Sequence, residues 1–329
     1  MSRIVTGERP TGPLHLGHYF GSLAERVRLQ QQGHQLYLVI ADYQVITDRD
    51  RAEDLPDRVL GLVLDYLAAG IDPDDTVVFT HSAVPAIHEL AVAFLSFVSV
   101  GELNRNPTVK DEIAHSRQRS VNALMLTYPV HQAADVLALH GELVPVGADQ
   151  LPHVELMRTI ARRFADRYAP VFAVPEPVLS DTPRLPGLDG GKMSKSRRNA
   201  LGLNATTDQV AAAIRRAPTD PVREITFDPS SRPGVARLLE LAALVTDTTP
   251  ADIADGVGSA GAAGLKTLVT EAVDTFVEPM RRRRAQFTRA DAAAILARGN
   301  RTAAAQAAVT LDAAHVATGM TYDRVPVRS

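Results

Sequence analysis

Apolar residues in the first half of the chain follow two alternating rhythms. Short unbroken runs lie at residues 3–6 (RIVT), 36–41 (LYLVIA), 76–80 (TVVFT) and 142–146 (ELVPV). Their length and β-branched content predict strands. Between them the spacing is helical. Residues 17–32 read as one helix. Leu55, Val59, Leu62, Val63, Tyr66 and Leu67 mark a second, with Pro56 near its start and Gly70 as its stop. Residues 85–100 predict a third, and Leu156, Ile160 and Phe164 a fourth. Wholly apolar strands separated by helices predict a parallel sheet covered on both faces. Ligands of such sheets bind beyond the carboxyl ends of the strands.

From residue 204 onward the strand signal fades. The chain becomes rich in alanine and charge, with helix-period positions such as Val210, Ala213, Ile214 and Leu238, Leu241, Val245. The reading is an α/β protein: a Rossmann-like parallel-sheet catalytic domain over residues 1–200, then a smaller all-helical domain over residues 201–329. Residues 179–199 are rich in Pro, Gly, Ser, Arg and Lys. They predict a long surface loop, a type of segment that is often functional.

Composition narrows the chemistry. The 329 residues are 45% hydrophobic and 22% charged, enough for real cores. A net charge of -3 announces no global basic field, so any contact with nucleic acid needs a local stripe. The absence of cysteine excludes disulfides, thiolate–metal sites and thiol nucleophiles. It fits a reducing compartment. With no secretory pattern at the N-terminus and no run of membrane-spanning length, the expected location is the cytoplasm, with no membrane partner.

Two separated segments carry the chemistry. The first is Pro10-Thr11-Gly12-Pro13-Leu14-His15-Leu16-Gly17-His18, placed just after the first strand. Gly7, Gly12 and Gly17 let backbone approach a ligand closely, and Pro10 and Pro13 stiffen the loop. The helix that begins near Gly17 aims its free N–H groups at that loop, a natural phosphate site. His15 and His18 add ring donors without adding negative charge. Two histidines with neither cysteine nor a carboxylate pair make a poor metal site, so no resident metal or permanently bound cofactor is expected. Taken alone, His-Leu-Gly-His would also fit an ordinary surface loop.

The second segment is Lys192-Met193-Ser194-Lys195-Ser196. Mobile ammonium groups can meet the charge that builds on the β and γ phosphates as pyrophosphate leaves ATP. Gly190 and Gly191 permit that loop to close and reopen. A generic Lys-x-x-Lys would instead read as a solvated basic loop.

In this order the two segments resemble the signature motifs of class I aminoacyl-tRNA synthetases. Further matches are Thr127-Tyr128-Pro129 with Ala133-Ala134-Asp135, the run Val144-Pro145-Val146-Gly147-Ala148-Asp149-Gln150, and Gly101-Glu102-Leu103 with Lys110. With them the chain resembles the bacterial tryptophanyl-tRNA synthetases, relatives of the tyrosyl enzymes. The likeness covers nearly the whole length and is weakest toward the C-terminus.

The resemblance implies a two-step reaction. The carboxylate of L-tryptophan attacks the α-phosphorus of ATP, which arrives with Mg2+, and the aminoacyl group then moves to the terminal adenosine of tRNA-Trp. It implies catalytic roles for His15, His18, Lys192 and Lys195. ATP would lie against Arg9, Thr11, Gly12, His15, Gly17 and His18, with Gly147, Asp149 and the Lys192, Met193, Ser194, Lys195 loop. Asp149 also reads as the N-cap of the helix that follows, with Pro152 in its first turn, and the two roles can coexist.

Tryptophan would lie against Val5, Gly7, Gln44 and Gln132, with Tyr128, Val144 and Val146 around the ring and Gln150 at the α-amino group. Asp135 would accept the indole N–H. A ligand without that donor leaves a buried acceptor unpaired, which is worth roughly four to five decades of rejection in sites of this kind. The implied assembly is a homodimer, with residues 85–100 as a candidate face. The helical part would recognise the anticodon. The run Met280-Arg281-Arg282-Arg283-Arg284 reads either as a phosphate surface or as a solvated helix face.

The chain departs from that family at three places. Asp42-Tyr43-Gln44-Val45 stands where many members carry Asp-Gln-His-Ala, Gln132 where a methionine is common, and Arg9 where a glutamine is often found. These changes resemble an auxiliary subtype, and Gln44 and Gln132 lead to the expectation that the enzyme tolerates an indole-based inhibitor. Three other readings stay open. One is a tyrosyl-tRNA synthetase. Another is a nucleotidyltransferase, which accounts neither for the second segment nor for the helical half. The third is a regulatory paralogue that binds tryptophan, against which the intact His15, His18, Lys192 and Lys195 argue.

Overall fold

A computed structural model describes residues 1–47, 54–115, 121–179, 185–191, 193 and 199–322. The first strand, β1 (Arg3–Glu8), continues through Gly7 to Glu8, two residues beyond the apolar run that predicts it. The helical segment after it is irregular. A short α1 (Leu16–His18) passes into a π-helical stretch at Tyr19–Leu23 and then α2 (Ala24–Gln31). Wide turns of this type mark functional places in helices, and Ser22 of this stretch lines the cavity described below.

The next elements match the hydrophobic pattern closely: β2 (Gln35–Ile40), α3 (Leu55–Ala69) and β3 (Thr76–Thr80). Gly70 ends α3 in the left-handed region, at φ 110°, a conformation that costs glycine least. The helix expected over residues 85–100 is shorter. It divides into α4 (Pro85–Phe94) and α5 (Val100–Arg105). Ser99 accepts the backbone N–H of Glu102, and the Glu102 carboxylate accepts the backbone N–H of Ser99. This reciprocal cap starts a new helix.

Then follow α6 (Pro107–His115), α7 (Ala123–Leu137), β4 (Leu143–Val146), α8 (Leu151–Arg167) and β5 (Glu176–Leu179). The pattern does not predict β5. It is four residues long, contains Pro177 and lies at the sheet edge, where a missing N–H is tolerated.

The five strands are parallel, in the order β3-β2-β1-β4-β5. Ile4 of β1 pairs with Leu36 on one side and Leu143 on the other. Strand order reverses at β1, so a crevice opens beyond the carboxyl ends of β1 and β4. Alternation along β1 separates two cores. Ile4 packs on one face with Leu36, Leu38 and the α3 residues Leu62 and Val63. Val5 packs on the other with Val39, Ile87, Ala134 and Met157.

The remainder is helical, as expected: α9 (Thr207–Arg216), α10 (Pro233–Thr246), α11 (Pro250–Val257), α12 (Gly261–Ala285) and α13 (Arg289–Thr318). Val269, Val273 and Val277 of α12 share the core of α3. The alanines of α13 return to the sheet, where Ala303 and Ala307 join the core that holds Val5. A Cβ on Gly299 would lie 1.9 Å from the Val78 carbonyl oxygen, so only glycine allows this approach. Asn300 then accepts the backbone N–H of Thr80 at 2.9 Å. Helix α13 thereby covers the exposed edge of β3, which removes a template for strand pairing.

Candidate active site

The crevice at the reversal point holds a cavity of about 420 Å3, within the usual range for a small-molecule pocket. Two strands and one helix build its walls. Val5 and Gly7 of β1 and Val144 and Val146 of β4 lie two residues apart on adjacent strands, so each pair faces the same side. Helix α7 contributes Tyr128, Gln132 and Asp135, a four- and then three-residue spacing that aligns them on one helix face. Its start is fixed by Asn122, which accepts the backbone N–H of Met125 at 2.8 Å. Gln44 and Gln150 complete the set. All nine residues assigned to tryptophan by resemblance therefore line one cavity, and Arg9 and Gly147 line it too. Gly7 is needed for space, since a Cβ there would meet the Val39 carbonyl oxygen at 2.0 Å.

Asp135 is 4% exposed, and His81 donates Nε2–H to its Oδ2 at 2.8 Å. Its other oxygen, Oδ1, is buried and accepts no hydrogen bond from the described residues. Burial is the largest influence on His81 and lowers its pKa. The Asp135 carboxylate and Asp42 outweigh it, and the net shift is upward. Asp42 is tied down in turn, accepting the Ser82 hydroxyl and backbone N–H groups of Ser82 and Tyr43. Tyr128 meets His153 at 3.2 Å between its hydroxyl and Nε2, and burial pushes the His153 pKa down to about 4.

The sequence reading missed His81, Glu8 and Arg26 as site residues. His81 directly follows β3, and that place at a strand's carboxyl end was the available signal. Arg26 is 4% exposed and donates to Glu8 Oε1 at 2.6 Å, while the Tyr66 hydroxyl donates to the same oxygen at 3.0 Å. Glu8 and Arg26 form part of the cavity wall.

The loop of residues 10–18 follows directly on Arg9, which lines the cavity. Gly12 adopts φ 134°, a conformation that other residues rarely reach. His18 Nδ1 accepts the backbone N–H of His15 at 3.2 Å. That bond leaves the proton of a neutral His18 ring on Nε2, the atom that can donate to a phosphate oxygen. The His15 and His18 ring centroids are 3.8 Å apart. Asp65, 1% exposed on α3, accepts the backbone N–H of Leu14 at 2.7 Å and lies 3.1 Å from Arg284 of α12.

Met193, the described residue of the second segment, lies against the first. A Cβ on Gly17 would stand 3.3 Å from the Met193 sulfur, and Met193 is buried. Leu16 N–H donates to Leu201 O, and Leu203 N–H donates to Leu14 O. Gly190, at φ 85°, faces Arg237, whose guanidinium would stand 2.7 Å from a Cβ there. Lys192, Ser194 and Lys195 lie outside the described residues.

Two readings change. Gln150 is the N-cap residue of α8, so Asp149 is not its N-cap; Asp149 Oδ2 accepts the Gln150 side-chain amide at 2.9 Å. Pro152 does occupy the first turn of α8. The arginine run mostly stitches the protein to itself. Arg281 donates to Ala205 O and to Asp274, Arg283 donates to Ala68 O, and Arg284 pairs with Asp65. Arg282 is the outward member, 72% exposed beside Glu278.

Among the described residues no helix is long and apolar enough to cross a membrane. The profile of the family "tRNA synthetases class I (W and Y)" matches residues 1–278. A tryptophan–tRNA ligase of Treponema pallidum is 40% identical over 331 residues, covering 97% of each chain. One of Clostridium longisporum is 38% identical with the same coverage. The crystal structure of tryptophanyl-tRNA synthetase from Campylobacter jejuni complexed with ADP and tryptophan superposes with a TM-score of 0.85 at 28% identity. It covers 96% of this chain and 99% of its own.

Proposed function

The chain belongs to the class I tRNA synthetases for tryptophan and tyrosine, and from that premise we propose that it is a tryptophan–tRNA ligase. The observation that carries the choice of amino acid is Asp135. One of its oxygens is held by His81 and the other is a buried acceptor without a partner among the described residues, beside the cavity. An indole N–H supplies the one donor that Oδ1 requires. The apolar walls, Val5, Val144 and Val146, suit the ring.

The reaction follows from the placement. The amino acid lies with its indole against α7 and its α-amino group toward Gln150, so its carboxylate points to the phosphate loop. ATP enters with Mg2+ as one substrate. His15, His18 and the N–H groups at the start of α1 receive the phosphates, and the carboxylate attacks the α-phosphorus in line. Lys192 and Lys195 neutralise the pyrophosphate as it leaves. Positioning and electrostatics supply the rate, with no covalent enzyme intermediate. The terminal adenosine of tRNA-Trp then takes the aminoacyl group.

In this reading residues 1–200 hold the chemistry and the helical residues 201–329 recognise the anticodon, in a cytoplasmic homodimer. The test is charging of tRNA-Trp with L-tryptophan by the wild type, by Asp135→Ala and by Lys195→Ala. The first variant loses preference for tryptophan over phenylalanine, and the second loses activation rate with tryptophan binding retained. A wild type that charges tyrosine in preference to tryptophan overturns the proposal.

A further inference from the structure

Three histidines from three elements meet behind the wall that carries Asp135. His81 follows β3, His88 lies on α4 and His131 on α7. His81 lines the cavity, whereas His88 and His131 stand outside its lining. His88 Nε2 lies 2.9 Å from the backbone oxygen of His81. A carbonyl only accepts, so this nitrogen carries a proton. Burial lowers the His88 pKa, so the ring is neutral at pH 7 and Nδ1 is an acceptor. His131 Nε2, 2.8 Å from that Nδ1, therefore donates to it. The two ring planes are 15° apart and their centroids 5.0 Å apart. With the nitrogens in contact, both lie close to the line that joins the rings. The rings meet edge to edge, the direction in which an N–H points at a lone pair.

The three bonds run in one sense. His131 donates to His88, His88 donates to the backbone of His81, and the His81 ring donates to Asp135 Oδ2 at 2.8 Å. Asp135 and His131 are four residues apart on α7, so one helical turn closes the circuit. Residue 81 is held from its other side as well, because Asp42 accepts the backbone N–H of Ser82 at 3.1 Å. Tyr43, which precedes the cavity-lining Gln44, packs edge-on against His88 with centroids 4.6 Å apart. In such a circuit no ring turns without breaking a bond, and each bond polarises the next.

We propose that His88 and His131 are positioning residues for amino-acid recognition: without touching the ligand they hold His81, and through it Asp135, where the carboxylate accepts the indole N–H. The proposal deepens the reading of Asp135 as the indole acceptor and rests on it. It extends the specificity site from the cavity wall to α4, an element that contributes no residue to the lining. The effect belongs to tryptophan binding. The relay leads to the ring pocket, so the ATP side and the turnover of bound substrates stay as they are.

The test uses the full chain and equilibrium dialysis against L-tryptophan, read by indole fluorescence, since the chain contains no tryptophan of its own. ATP–pyrophosphate exchange supplies kcat and the KM for ATP. His88→Leu breaks two bonds of the circuit and His131→Leu breaks one. Each is expected to raise the Kd for tryptophan about 3- to 10-fold, with kcat and the KM for ATP nearly constant. His88→Gln keeps an amide donor toward residue 81 and recovers most of the loss. His81→Leu combined with His88→Leu binds within about twofold of His81→Leu alone, because members of one chain are not additive. Circular dichroism verifies folding, and His88→Ala at this half-buried site carries the same expectation if leucine does not fit. Wild-type affinity in the folded variants overturns the proposal. Equal defects toward tryptophan and ATP, equal defects in the leucine and glutamine variants, or additive losses in the double variant overturn it too. A wild type that binds tyrosine in preference to tryptophan instead overturns the reading of Asp135, whatever the histidine variants do.

Discussion

His81 Nε2 lies 2.8 Å from Asp135 Oδ2, and the two side chains are 1% and 6% exposed. This pair fixes the carboxylate that faces the ring pocket. A buried carboxylate without hydrogen bonds is costly. Here one oxygen is satisfied internally and the other depends on what enters the cavity. Selectivity then arises from asymmetry: a ligand that donates one N–H completes the site, and one that donates none leaves it incomplete.

Asp135→Asn keeps the shape and removes the charge. Hydrogen bonds to charged groups contribute roughly 1.5–3 kcal/mol, or about 10- to 100-fold in binding. The KM for tryptophan in ATP–pyrophosphate exchange is expected to rise by that factor, with KM for ATP nearly constant. An equal rise in both would show a general distortion instead.

His81 acts through Asp135 and is a positioning residue. His81→Leu leaves the carboxylate without its inner donor, and KM for tryptophan is expected to rise about tenfold or more with a smaller effect on kcat. His81→Gln, which restores a donor, recovers most of the loss. Equal defects in the two variants would assign His81 a merely structural role.

Stability should fall as the pH drops from about 6.5 toward 4. Burial holds His131 and His153 down to about 4 from the ordinary value of 6.5. Between those values the unfolded chain binds protons that the folded chain refuses, so stability rises with pH across that window and is complete above it. At 1.36 kcal/mol per pH unit, that window contributes at most about 3.4 kcal/mol per group. His81 is raised instead, so its contribution is complete below 6.5 and is lost only as the pH climbs through its folded value. Urea melts of the wild type and His153→Gln at pH 7 and pH 5 test this. The variant is expected to show a shallower decline, and parallel declines would contradict the assignment.

Asp65 links the first motif to the helical half through Leu14 N–H and Arg284. Arg284→Met removes one cation from beside a buried carboxylate. The cost is about 2–3 kcal/mol, below the full range for a buried pair because Arg284 reaches solvent. A lowered urea midpoint together with a raised KM for ATP is the expected outcome. A stability loss with unchanged KM for ATP would show that the pair does not shape the phosphate loop.

Gln44 and Gln132 make the cavity wall more polar than a histidine and a methionine would in combination. Restoring both residues, as Gln44→His with Gln132→Met, is expected to raise sensitivity to an indole-based inhibitor about tenfold or more. Equal inhibition of wild type and double variant would remove the expectation of tolerance.

Much of this site was legible in the sequence through the resemblance that assigned its residues, and local periodicity explains why they share one wall. Two-residue spacing along β1 and β4 and the helical spacing of Tyr128, Gln132 and Asp135 place their side chains before any tertiary contact is known. His81, His88 and His131 were not legible together. Only the packing of α4 and α7 beside the end of β3 brings these distant residues into contact. Strand β5 was hidden by its brevity and Pro177. The small residues of α13 signalled close packing, but not that Gly299 and Asn300 would meet the edge of β3. The arginine run misled in the opposite sense, since charge suggests an outward surface and three of its four arginines are engaged within the protein.

The central claim is the choice of amino acid. Its most direct test is ATP–pyrophosphate exchange by the wild type with L-tryptophan, L-tyrosine and L-phenylalanine in turn. The account predicts exchange with tryptophan at a kcat/KM at least about four decades above that with phenylalanine, the size expected for a site built around one buried acceptor, and tyrosine likewise far below. Exchange that favours tyrosine, or exchange with none of the three, would contradict it.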